Sequence, residues 1–94
     1  MRLIEPTDFD ILEQFEPGRN VAANVAIEAG YDRPYVNTRV QQLHDYGLIN
    51  RVGPSANSGL YELTNLGKSA ISNRERYNEC GPEEFERELT STHA

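Results

Sequence analysis

A short break around Gly30 is the feature that most constrains the fold of this chain. Residues 22–29 and the segment between Asp32 and Gly47 both carry apolar side chains at helical spacing, and only a few residues separate the two segments. Gly30 is expected to end the first helix with a positive φ, because glycine has no side chain to clash in that conformation. Two helices joined by so short a turn have the spacing of a helix-turn-helix.

The second helix of the pair carries its own start signals and a buried stripe. Asp32 is expected to be its N-cap, a role worth ~1 kcal/mol. Pro34 falls in its first turn, where the missing N–H does no harm. Val36, Val40 and Leu43 follow at intervals of four and three residues. This spacing predicts one narrow apolar face that packs on a core.

A β-hairpin is predicted directly after this helix. Residues 48–52 and 60–63 are short, largely apolar segments, and residues 53–59 between them read GPSANSG, which consists almost entirely of turn formers. Residues 19–21, before the helix pair, are predicted to form only an extended link. A hairpin that follows the second helix of a helix-turn-helix is a wing.

Helices are also predicted at both ends of the chain. Thr7 is expected to begin the first one, with Asp10 three residues later completing an acidic variant of the capping box. Thr64 is expected to cap a helix over residues 65–77, and Pro82 to open a last short helix.

These elements predict a fold that is mainly α with a small β-hairpin wing (α+β), a winged helix-turn-helix. The 94 residues suit one domain. Residues 7–64 would contain the helix-turn-helix and the wing, and residues 65–89 the C-terminal helices.

The charge of the chain is unevenly distributed. Fifteen acidic and nine basic residues give a formal net charge of −6, and Lys68 is the only lysine. Residues 1–18 carry one arginine and five acidic residues, and residues 62–94 carry four basic and seven acidic residues. Residues 19–61 carry four arginines against three acidic residues. The middle of the chain therefore lacks the excess of acid found at both ends, as expected of a surface that meets a polyanion.

The acidic, lysine-poor composition resembles that of proteins from salt-loving organisms, in which concentrated salt screens the repulsion between surface carboxylates. The alternative is an acidic protein of ordinary origin with a chance preference for arginine.

The exposed face of the second helix of the pair carries side chains that suit base recognition. Asparagine and glutamine can pair with adenine, arginine with guanine, and threonine with several base edges. We expect Tyr35, Asn37, Thr38 and Gln42 to contact bases, and Arg33 to contact a base or a phosphate. Residues expected to support these contacts are Pro34, Gln41 and Arg39, the last of which either clamps a phosphate or binds a neighbouring helix. Backbone contacts are expected from Arg51, Ser55, Asn57 and Ser58.

Two segments resemble a known family. YDRPYVNTRVQQLHDYGLINRVG, residues 31–53, and GLYELTNLGKSAI, residues 59–71, resemble the haloarchaeal phage phi-H repressor-like winged helix-turn-helix regulators. That family is itself similar to the multiple-antibiotic-resistance regulator type. The resemblance implies an archaeal or archaeal-virus protein that binds double-stranded DNA as a homodimer. It also implies that the third helix enters the major groove and that the wing reaches the adjacent backbone or minor groove.

The C-terminal helices are expected to mediate dimerisation, because they carry more apolar side chains than a small core should need. These side chains are Leu66, Ile71, Tyr77, Phe85 and Leu89. The alternative is that all of them complete the core of a single chain.

Other functions find less support in the sequence. No phosphate-binding glycine loop and no nucleophile–base pair can be recognised, so an enzyme is not expected. Cys80 and His93 are too few ligands for a metal site, and no cofactor or small-molecule ligand is expected. A redox role for Cys80 stays open.

The single cysteine, the absence of a signal peptide at the start and the lack of a membrane-length apolar run predict a cytoplasmic protein. The main alternative to a DNA-binding regulator is a protein-interaction module built on the same fold.

Overall fold

The computed structural model describes residues 1–54 and 59–93 of the chain. The described part is mainly helical, with a small three-stranded antiparallel sheet. No helix in these ranges is long and apolar enough to cross a membrane. In chain order the elements are α1 Thr7–Glu13, β1 Asn20–Val21, α2 Ala22–Ala29, α3 Arg33–Asp45, β2 Ile49–Arg51, β3 Leu60–Leu63, α4 Asn65–Ser72, α5 Arg74–Cys80 and α6 Pro82–His93.

The turn between α2 and α3 forms as the sequence predicts, except for one cap. Gly30 has a φ of 79°, and the N–H groups of Gly30 and Tyr31 both donate to the carbonyl of Ala26, which closes α2. Asp32 precedes α3 with extended backbone, but its side chain makes no capping hydrogen bond. The expected capping contribution of Asp32 is therefore wrong, because the carboxylate is exposed to water instead.

The sheet contains one strand more than the sequence predicts. β3 lies in the centre, paired with β2 on one side and with β1 on the other, so that Asn20 lies opposite Tyr61. The predicted extended link at residues 19–21 is thus an edge strand. Two paired residues are too few to show the alternation of apolar and polar side chains by which a strand is recognised. This pairing joins the start of α2 to the hairpin.

The start of α1 differs from the predicted capping box. Thr7 is the first helical residue, but the residue at the cap position is Pro6 and no side chain caps the helix. Asp10 does not turn back to the helix start; it accepts hydrogen bonds from Tyr31 and Arg74. The predicted capping box is wrong because these long-range partners engage the carboxylate.

The helix predicted over residues 65–77 is two helices. Thr64 caps α4 as expected, its hydroxyl oxygen accepting a hydrogen bond of 3.0 Å from the N–H of Gly67. The chain then breaks at Asn73, whose φ of −110° and ψ of 21° are not helical. The side-chain amide of Asn73 donates to the carbonyl of Ser69, a local bond that competes with helix continuation.

The C-terminal helices complete the core of the single chain. Phe85 and Leu89 are only 1% and 3% exposed, so these two side chains are not available to a partner subunit. Their predicted place in a dimer interface is corrected for that reason. The rings of Phe9, Tyr77 and Phe85 meet edge to face, with centroids 5.1 to 6.2 Å apart. Leu66, Ile71 and Tyr77 pack against the core and stay partly accessible.

Gly67 sets how closely α4 approaches the strands. A Cβ atom at this position would overlap the carbonyl oxygen of Leu48 and lie 2.9 Å from Cδ2 of Leu63.

We expect Gly67→Ala to lower the free energy of unfolding by about 3 kcal/mol despite the better helix propensity of alanine, because the backbone must move. Gly30→Ala is the matched control: its Cβ would meet nothing, and only the positive φ costs about 1 kcal/mol. Urea denaturation of both variants checks this order, and equal losses would contradict it.

Candidate nucleic-acid interface

One face of α3 is buried and the opposite face is open, as the stripe predicts. Val36, Val40 and Leu43 are at most 2% exposed. The residues exposed on α3 are Arg33, Pro34, Tyr35, Asn37, Thr38, Gln41 and Asp45, whereas Arg39 and Gln42 are half-buried. The expected face is therefore present, and its two flanks differ in their surroundings.

The flank of α3 that faces the sheet borders a cleft of about 420 Å³. Arg33, Asn37 and Gln41 line its α3 side. The residues that line the rest include Ala22 at the start of α2, and Gly59 and Tyr61 of the hairpin region. Sequence patterns did not indicate that the start of α2 lies beside the hairpin, because this neighbourhood depends on the β1–β3 pairing.

The other side chains predicted to contact bases are more constrained. The hydroxyl of Thr38 donates to the carbonyl of Pro34 within the helix, at 3.2 Å. The ring of Tyr35 lies against Tyr31, with centroids 6.3 Å apart. Gln42 is half-buried and does not line the cleft, but it borders a second, more open hollow together with Asn37 and Gln41. Thr38 and Tyr35 therefore lie near the face but already make contacts within the protein.

Arg39 does not project into solvent. Its Nε and Nη2 donate to the two oxygens of Asp8 at 2.8 and 2.7 Å, and Asp8 is fully buried. The N–H of Ile4 donates to the same carboxylate at 2.7 Å. The hydrogen bond to Asp8 raises the pKa of Arg39, which therefore stays charged. Of the two roles considered for Arg39, the contact with a neighbouring helix is the one observed.

Two acidic groups of α1, Asp8 and Asp10, are neutralised by protein partners. Asp8 pairs with Arg39, and Asp10 accepts hydrogen bonds from Tyr31 at 2.9 Å and from Arg74 at 3.1 Å. Asp32 and Asp45 remain exposed, at the two ends of the helix. Within the described residues Arg33 has no ion-pair partner, so its charge is available at the first turn of α3.

Within the described residues, the hairpin offers fewer free polar side chains to a ligand than the sequence predicts. Arg51 is half-buried, its Nη2 lies 3.4 Å from the Tyr61 hydroxyl, and its guanidinium lies 5.7 Å from the centre of that ring. His44 also packs against Tyr61, with ring centroids 6.0 Å apart. The predicted backbone contacts Ser55, Asn57 and Ser58 lie outside the described residues.

Comparisons with protein-family models, with curated proteins and with solved structures find no match to this chain. The surface of α3 and its charges are therefore the basis on which a function can be inferred.

The Asp8–Arg39 pair should stabilise the position of α3. Arg39→Met leaves a buried carboxylate without its partner, and we expect a loss of about 3–5 kcal/mol in the free energy of unfolding. The double variant Asp8→Asn, Arg39→Met should recover part of that loss, because no buried charge remains. Arg76→Met removes an exposed pair with Glu88 and should change stability much less. Chemical denaturation of the four proteins, wild type included, compares these losses; a loss for Arg39→Met as small as that for Arg76→Met would contradict a structural pair.

Proposed function

We propose that this chain is a winged helix-turn-helix transcriptional regulator that binds duplex DNA and acts as a repressor. The observation that carries the proposal is the outer face of α3, which is exposed, rich in hydrogen-bonding side chains and free of carboxylates between its two ends. Side chains of this kind match the donor and acceptor pattern of the major groove. In this proposal α3 enters that groove with its N-terminal half foremost.

The support beneath α3 favours a rigid binding surface. The apolar stripe is buried, and the Asp8–Arg39 pair ties the middle of the helix to α1. A helix held at two such points loses little further freedom on binding, so its side chains meet the bases in a fixed register.

The β2–β3 hairpin would act as the wing. It follows α3 directly and borders the same cleft as Arg33. In this proposal Arg51 and the hairpin residues Ser55, Asn57 and Ser58 contact the sugar-phosphate backbone beside the groove.

The proposed functional unit is a homodimer on a palindromic site, with two copies of α3 about one DNA turn apart. Because Phe85 and Leu89 belong to the core of the single chain, the partly accessible side chains left for the proposed partner contact are Leu66, Ile71 and Tyr77.

DNA binding can be tested by selecting duplexes from a randomised library with the purified protein and measuring affinity for the enriched sequence by fluorescence anisotropy. Arg33→Ala and Asn37→Ala should each weaken binding by about tenfold, the usual cost of losing one good base contact. Arg87→Ala and Asn78→Ala make the same chemical changes at exposed positions of α6 and α5, and should leave the affinity within about twofold. If the folded protein enriches no duplex, the chain is better explained as a protein-interaction module.

The salt dependence of binding should be shallow. The described part of the proposed interface offers two arginines per subunit, Arg33 and Arg51, and the tip residues 55–58 carry no charge. Because each neutralised phosphate contributes about −0.9 to the slope of log affinity against log salt, the slope should be no steeper than about −2 per subunit, and about −1 when Arg33 pairs with a base. Anisotropy titrations across a salt series measure this slope. A value of about −5 or steeper per subunit would mean that phosphate contacts dominate and would contradict the proposed reliance on base contacts.

A further inference from the structure

Three polar side chains form a row along one flank of α3. Arg33, Asn37 and Gln41 are spaced four residues apart, all are exposed, and all line the cleft between α3, the start of α2 and the hairpin region. Residues four apart lie one above another on the same side of a helix. The row therefore presents one arginine and two carboxamides in a line on the sheet-facing side.

The members of this row are exposed side chains with few commitments inside the protein. Among the described residues, the Arg33 guanidinium has no ion pair and the Asn37 amide has no hydrogen-bond partner. Gln41 reaches only Asp45, at a long 3.4 Å. Nearby Thr38 donates to its own helix, and Gln42 is half-buried on the opposite flank. Binding a base edge would thus cost the row no strong internal hydrogen bond.

The distance between neighbouring members of the row can be compared with the distance between stacked base pairs. Four residues of helix rise about 6 Å, and successive base pairs are about 3.4 Å apart along the duplex axis. With α3 aligned along that axis, neighbouring members of the row would meet base pairs about two steps apart. Arginine pairs best with guanine, and asparagine or glutamine with adenine.

We propose that Arg33, Asn37 and Gln41 together determine the sequence preference of this protein, selecting a half-site with one G·C pair followed by two A·T pairs at intervals of about two base pairs. This inference rests on the proposed function, and it replaces the expectation that Tyr35, Thr38 and Gln42 carry the base contacts. Tyr35 and Gln42 then lie on the flank away from the cleft, where they fit shape or backbone contacts.

A set of selections with single variants tests the row. Asn37→Ala and Gln41→Ala should each abolish the preference at one A·T position and leave the other positions unchanged, with affinity for the wild-type site reduced about 5- to 100-fold. Asn37→Arg should change the preferred pair at its position from A·T to G·C, a gain that a merely structural role of Asn37 would not produce. Asn78→Arg adds the same charge on α5 and should leave the preferred sequence as it is.

The outcomes separate this inference from the proposed function. The wild-type protein could enrich one sequence while Asn37→Ala and Gln41→Ala enrich the same one. That result would contradict the role of the row in sequence preference and would leave the proposed DNA binding intact. If Gln42→Ala loses the sequence preference instead, base recognition belongs to the other flank of α3, which would also contradict the role of the row. If the wild-type protein, shown to be folded by circular dichroism, enriches nothing, both the function and the row are overturned.

Discussion

The buried ion pair between Asp8 and Arg39 is the contact on which the arrangement of the helices depends. A fully buried carboxylate is costly unless charged and neutral donors satisfy it, and here two guanidinium N–H groups and the backbone N–H of Ile4 do so. The three donors come from α3 and from the segment before α1. Satisfying one carboxylate thus sets the distance between α1 and α3, and with it the orientation of the outer face of α3.

A second network links the start of α3 to the C-terminal helices. Tyr31 and Arg74 both donate to Asp10, and Arg74 also donates to Glu13 at 2.7 Å. The N-terminal segment adds to these links, since the hydroxyl of Tyr77 exchanges hydrogen bonds with the backbone of Leu3. In both networks acidic or polar groups of the ends find partners within the protein. The outer face of α3 takes no part, which leaves its side chains available for a ligand.

Much of the helix pair was predictable from the sequence, because its signals are local. The stripe of α3 and the positive φ of Gly30 follow from residue type and spacing alone. The β1 strand and the break at Asn73 were missed, since the first depends on a partner 41 residues away, Asn20 with Tyr61, and the second on a local side-chain bond within an otherwise helical pattern. The candidate site was predicted as a face, but its division into a cleft side and a more constrained side was not.

The sequence by itself determined the helix pair around Gly30, which side of α3 is buried and where acidic residues are sparse, because propensity, periodicity and charge are properties of residues and their near neighbours. Only the tertiary structure decided which polar side chains are free. Arg33 and Arg39 are the same residue type on the same helix, yet one is unpaired among the described residues and the other is held by Asp8, 31 positions away. A long-range partner, invisible in local patterns, makes the difference between a structural arginine and one available to bind.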